Sequence, residues 1–137
     1  MVKMVIVLDT SVLCAYANKS DVHHGKAVEL MRKIISQNEE RVIITDHIFD
    51  ELISVTKRKS DKSTAVETGR ALLRSEIHLV YTDELIFGEA WNLFEQKNTF
   101  SFTDCTIIAF MRIFGITKIA SFDSEFKTIA GLDVLRD

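Results

Sequence analysis

A chain of 137 residues, 47% hydrophobic and 27% charged, is long enough for one domain with a real core and too apolar for disorder. Its net charge of −3 argues against a surface built for tight, constitutive nucleic-acid binding, though not against a local basic patch. Cys14 and Cys105 have neither the number nor the spacing of a disulfide framework or a zinc site, which points to a reducing compartment.

In chain order, the apolar opening stops at Asp9. It is too short for a signal peptide's apolar region with its cleavage site, or for a membrane span, so the expectation is a cytoplasmic protein with no membrane association. Residues 4–8 read as a strand buried on both faces. Asp9, Thr10 and Ser11 then offer three successive capping side chains before Val12, Leu13 and Tyr16. Ser20-Asp21 is the expected start of the next helix, with Val28, Met31, Ile34 and Ile35 as its apolar stripe.

Residues 41–45 form a second strand, and Asp46 is assigned to capping the helix that carries Ile48, Phe49, Leu52 and Ile53. That helix runs out in a basic stretch, Lys57 to Lys62. A short helical hairpin follows, with Val66, Leu72 and Leu73 inward. Residues 77–82 read as a third strand, and Asp83 caps a helix carrying Ile86, Ala90, Trp91, Leu93 and Phe94. The next helix opens around Asp104 and ends near Gly115. Residues 118–122 are a fourth strand, ended by Asp123, and a short helix through Phe126 and Ile129 closes at Gly131. Residues 133–135 are the fifth, edge strand. This alternation, with connections too long for hairpins, is the pattern of a parallel sheet with helices on both faces. No linker or repeat divides residues 1–137, which are read as a single domain.

In such sheets ligands gather at the carboxyl ends of the strands. Asp9 follows strand one and Asp123 follows strand four. Asp104 opens the helix before strand four, and Glu51 lies one to two turns into the helix after strand two. Each has a plain alternative. Asp9 and Asp123 fit N-caps, and Asp104 fits the first turn of a helix capped by Ser101 or Thr103. Glu51 fits a solvated helix charge, with Asp50 as its rival. Two features weigh the other way. Ile107, Ile108 and Met111 follow Asp104 at i+3, i+4 and i+7, aligning the acid with the face to be buried, where an unpaired charge is costly. Glu51 lies nearer the apolar stripe than Asp50 does. Several carboxylates in one crevice raise one another's pKa, and a cation removes that penalty. An all-oxygen set suits Mg²⁺ or Mn²⁺, and two such ions can activate water at a phosphodiester.

Other signals carry less. His23 and His24 point about 100° apart on a helix and do not converge on one ion. His47 and His78 read as surface or strand-end residues. Trp91, Phe94, Phe110 and Phe114 read as core or dimer interface, while Phe100 and Phe102 lie near an acid. Ser11 stands where a haloacid dehalogenase-type phosphatase needs its second acid, and a phosphorylation receiver also needs paired acids there. The five glycines form no phosphate-cradling loop.

Four segments together, Val7-Leu-Asp9-Thr-Ser-Val-Leu13, Ile44-Thr-Asp-His-Ile-Phe-Asp-Glu51-Leu, Phe102-Thr-Asp104-Cys-Thr-Ile-Ile-Ala and Ile119-Ala-Ser-Phe-Asp123-Ser-Glu-Phe126, resemble a PIN-domain ribonuclease across almost the whole chain. The resemblance implies a doubly wound α/β domain with a four- to five-stranded parallel sheet, and a carboxylate pocket holding one or two Mg²⁺ or Mn²⁺ ions. It implies hydrolysis of RNA. The near-minimal size resembles the toxin half of a VapBC toxin–antitoxin pair, which implies a homodimer and an antitoxin partner that covers the site.

Carried over by residue, Asp9, Glu51, Asp104 and Asp123 match the catalytic, metal-ligating acids, with Asp9 and Asp104 the principal ligands. Ser11 matches a small polar residue that holds the first acid, and Ser121 stands where the family often has threonine. Ser124 replaces a frequent extra acid, for which Glu125 is the nearest substitute. Lys57, Arg58, Lys59 and Lys62, with Arg70 and Arg74, are candidates for steering the RNA backbone, against the plain reading of basic residues at helix C-termini. Two alternatives stand beside this function: a catalytically silent PIN-like RNA- or protein-binding module, and a non-toxin RNA-processing PIN nuclease.

Overall fold

The computed structural model describes residues 4–36, 40–96 and 99–137; the first three residues of the apolar opening lie outside them. The elements in order are β1 (Met4–Leu8), α1 (Thr10–Ala17), α2 (His24–Ser36), β2 (Glu40–Thr45), α3 (Asp46–Lys59), α4 (Lys62–Arg74), β3 (His78–Val80), α5 (Glu84–Gln96), α6 (Phe102–Phe114), β4 (Lys118–Ala120), a 3₁₀ turn (Ser124–Thr128) and β5 (Asp133–Leu135). All five strands are parallel, in the order β3-β2-β1-β4-β5.

β1 is central because its sequence permits nothing else. Ile6, Val7 and Leu8 point alternately to opposite faces, and all three are fully buried, so helices cover both sides of the sheet. From β1 the chain winds one way through β2 and β3, then returns to lay β4 and β5 on the other side. The reversal falls between β1 and β4, and the crevice at their carboxyl ends is where such a sheet exposes a binding site.

α6 is the central helix. Cys105 through Met111 are all buried, which leaves the first turn as its accessible part. Ser101 caps it, and Gly115, at φ 67°, ends it in the left-handed conformation that a side chain would resist. Across α3 and α4, Gly69 allows close approach: a Cβ there would sit 3.1 Å from Ile53 Cδ1.

Several local expectations are corrected. α2 begins at His24, because Asp21 accepts from the His23 N–H at 2.8 Å and holds a turn. α3 is capped by Thr45, whose Oγ1 accepts from the Ile48 N–H at 3.2 Å. Asp46 instead accepts from both the N–H and hydroxyl of Thr82, at 3.1 and 2.7 Å, tying the ends of β2 and β3 together. Asp83 does cap α5, through the Ile86 N–H. On α4 the buried residues are Ala65 and Gly69, Leu72 packs half-buried against the core as expected, and Val66 and Leu73 are exposed. The small pair wins because α3 packs too closely for branched side chains. Phe110 is core, whereas Trp91, Phe94 and Phe114 stay exposed. Trp91, Phe94 and Phe87 gather round Phe102, whose ring also meets His47 at 6.1 Å. Among the described residues no helix is long and apolar enough to cross a membrane.

Candidate active site

Asp9 extends the β1–β4 ladder by one residue, its N–H donating to the Ala120 carbonyl at 2.9 Å. It occupies the N-cap position of α1, but its side chain makes no capping bond. Oδ2 instead accepts from two hydroxyls, Ser121 Oγ at 2.7 Å and Ser11 Oγ at 2.9 Å. The same hydroxyls accept from the next loop: Ser121 Oγ from the Asp123 N–H and Ser11 Oγ from the Phe122 N–H, both at 3.0 Å. Two serines therefore join the end of β1 to the loop after β4. Burial raises the Asp9 pKa, against the lowering effect of its hydrogen bonds with Ser121, Ser11 and Thr10, and the charge of Asp123 adds to the rise.

Asp104 both caps and clusters. It forms a capping box with Ser101, its N–H donating to Ser101 Oγ at 3.1 Å while its Oδ2 accepts from the Ser101 N–H at 3.3 Å. Yet its carboxyl is pushed up to about 6, first by burial and then by the charge of Asp9, with Asp123 adding to it. Asp123 is likewise double in use. Its Oδ1 accepts from the Glu125 N–H at 2.9 Å, starting the 3₁₀ turn. Asp104, Asp123 and Glu125 each offer a carboxylate oxygen within 4.8 Å of the other two.

Glu51 is half-buried on α3, and Asp50 is exposed with Ser54 as its partner. Glu51 is not one of the close three. Its charge is felt at the Cys14 thiol on α1, which burial raises first and Glu51 next, with Asp9 contributing in the same direction. Lys57, Arg58 and Lys62 are exposed, as are Arg70 and Arg74. Lys59 lies beside Cys14 at a small cavity of about 60 Å³ between α1 and α3.

The geometry fits a hard divalent cation. The donors are all carboxylate oxygens, and one carboxyl is raised to about 6 by burial first and by the charges of its neighbours next. A cation offsets that repulsion. Glu125, which the sequence offered only as a substitute, belongs to the closest group; its signal was the spacing of two from Asp123.

Ser121→Ala is expected to cost about 1–3 kcal/mol in urea unfolding. It removes one donor from Asp9 and leaves the buried-side Asp123 N–H without its acceptor. Ser121→Thr keeps the hydroxyl and should recover most of that loss; equal losses in both variants would mean that shape, not the hydroxyl, matters there.

Comparison with known proteins adds a family, two sequence relatives and a shared fold. The family described as PIN domain matches residues 6–132. The chain is 24% identical over 131 residues to the 23S rRNA-specific endonuclease VapC20 of Mycobacterium tuberculosis, covering 94% of this chain and 97% of the relative. The crystal structure of that protein, described as a Sarcin-Ricin loop cleaving toxin, superimposes with a TM-score of 0.83 at 25% identity, over 96% of this chain and 99% of that one. A VapC ribonuclease of Archaeoglobus fulgidus is 27% identical over 131 residues, covering 90% of this chain and 80% of the relative. A toxin–antitoxin complex from Klebsiella pneumoniae shares the fold, with a TM-score of 0.68 at 15% identity over 93% of this chain and 95% of that one.

Proposed function

Since the chain belongs to the PIN-domain family, we propose that it is a metal-dependent endoribonuclease and the toxin of a toxin–antitoxin pair. The observation that carries this reading is the meeting of Asp104, Asp123 and Glu125 beside the sheet's reversal point, where the charge of Asp9 is felt at Asp104. RNA as substrate is supported by the ribonuclease and rRNA-endonuclease names of the two sequence relatives.

In this reading Mg²⁺ or Mn²⁺, as one or two ions, supplies Lewis-acid activation of water and neutralises charge on the phosphate. Asp104, Asp123 and Glu125 would hold it, with Asp9 fixed in orientation by the hydroxyls of Ser11 and Ser121. Glu51 would contribute from α3. Asp104 and Asp9, whose carboxyls are both raised by burial, are the groups able to carry a proton when no cation is near. The capping box keeps that carboxylate from swinging away, so the oxygens stay converged without substrate. The partners in this reading are an antitoxin that masks the carboxylates and a second copy of the chain. The exposed Trp91, Phe94 and Phe114 offer apolar area for such contacts. The reaction belongs in the cytoplasm, where RNA is available, and to one domain spanning residues 1–137.

The test is an assay of the purified protein on total RNA with Mg²⁺, Mn²⁺ or EDTA. Cleavage in the metals and none in EDTA is the expected result. A protein that Mn²⁺ stabilises against heat but that leaves RNA intact would instead be a silent binding module.

A further inference from the structure

Beyond the carboxylates, the same edge of the sheet carries a cavity of about 280 Å³, lined by His23, Lys26, Phe122, Lys127, Arg136 and Asp137 among others. Its residues come from the start of α2, the loop after β4, the 3₁₀ turn and the segment after β5. In a chain of net charge −3 this concentration of cations is unusual. Among the described residues no ion pair engages Lys26, Lys127 or Arg136, and Asp137 is the acid among the residues that line the wall. Arg136 is also positioned: it donates to the Phe122 carbonyl at 3.0 Å, using one of its five donors. The His23 ring stacks on Phe122 at 4.9 Å and 24°, closing the side of the cavity.

Phe122 joins this cavity to the acids. Its N–H donates to Ser11 Oγ, which holds Asp9, and the next residue is Asp123. The cationic cavity and the carboxylate group thus draw on consecutive residues of one loop, Phe122 lining the first and Asp123 belonging to the second. The basic run from Lys57 to Lys62 has no such connection to the group of three, and Lys59 faces Cys14 instead.

We infer that this cavity seats a non-scissile phosphate of the RNA strand, held by Lys26, Lys127 and Arg136 while the neighbouring phosphodiester lies at the carboxylates. The assignment rests on the nuclease reading above and extends it. A polyanion approaching an acidic site is repelled unless part of its charge is met nearby, and the cavity that shares the Phe122–Asp123 loop with the acids supplies that charge.

The test measures binding of a short fluorescent single-stranded oligoribonucleotide to the Asp104→Asn chain, with and without Lys26→Gln and Lys127→Gln together. Affinity is expected to fall roughly fivefold, and the slope of log K against log salt to shrink by about 0.7, as for one phosphate contact on a single strand. In the cleaving chain the same double variant should place its loss on KM rather than kcat. Unchanged affinity and slope would overturn the assignment, as would a loss appearing only in Lys57→Gln with Arg58→Gln. Inorganic phosphate is the second probe: heat stabilisation by phosphate that the double variant abolishes, with RNA affinity unchanged, would make this a free-phosphate site and overturn the strand assignment. Wild-type cleavage with Mn²⁺, run alongside, separates the two failures. Without it the nuclease reading falls; with it and an unaltered variant, only the cavity assignment does.

Discussion

Asp104→Asn is expected to abolish RNA cleavage, by a factor on the order of 10³ or more, while making the metal-free protein more stable at neutral pH. The reason is the carboxyl's raised pKa, about 6 against an ordinary 3.8. Between those values the folded chain holds a proton that the unfolded chain has released. Stability of the metal-free protein therefore falls as pH rises through that window, and the full penalty persists above it. Two pKa units correspond to ~3 kcal/mol; Asp104 is only half-buried, so solvent screening reduces this to about 1–2 kcal/mol. Asparagine removes the charge and keeps an oxygen able to accept from the Ser101 N–H, so the helix cap survives. Thermal unfolding across the window checks this. The parent should lose stability with rising pH and recover it on addition of Mn²⁺, more at neutral than at acid pH; the asparagine variant should lose less, keeping only the part due to the raised Asp9, and should respond little to Mn²⁺. A variant that is simply less stable at every pH, in a parent indifferent to Mn²⁺, would reduce Asp104 to a cap.

Phe126→Ala is expected to cost about 3–5 kcal/mol, the largest stability loss proposed. Phe126 is fully buried in the 3₁₀ turn directly after Glu125, and its ring lies 6.0 Å from that of Phe100, which precedes the Ser101 cap. The pair thus fastens the two segments that bring Asp104 to Asp123 and Glu125. Phe126→Leu keeps most of the apolar volume and should lose less than half as much. Even in the leucine variant, Mn²⁺ stabilisation should weaken, because the oxygens lie on segments that this ring contact sets. Urea unfolding with and without Mn²⁺ reads both effects. An undiminished response to the ion in the leucine variant would show that the two segments are positioned by something else.

Much of the fold was legible because β1 is apolar without a break and β2, β3 and β4 are each followed within three residues by an aspartate. The reversal between β1 and β4 follows from packing and has no local signature, yet it puts Asp9 beside Ser121. The capping alternatives were undecidable from sequence, because a cap and a ligand favour the same residue at the same place. Asp104 and Asp123 turn out to make capping bonds while facing other carboxylates, whereas Asp9, the most cap-like, makes none. Asp46 looked identical in sequence and is bound to Thr82, 36 residues away. The inward face of α4 was misread at Val66 and Leu73, though not at Leu72, because periodicity ranks large apolar residues first and close helix approach selects small ones. The cationic cavity could not be read at all: Lys26 and Lys127 become neighbours only through the sheet.

The Asp9–Ser121 bond joins residues 112 positions apart. A ribosome adding 5–20 residues per second needs on the order of ten seconds to make the second partner after the first. For that interval the opening carboxylate has no partner across the crevice, and the chain under synthesis has no completed centre. If the protein does cut RNA, it can do so only once the segment carrying Ser121, Asp123 and Glu125 has emerged, so a restraint on it has no centre to mask before that point.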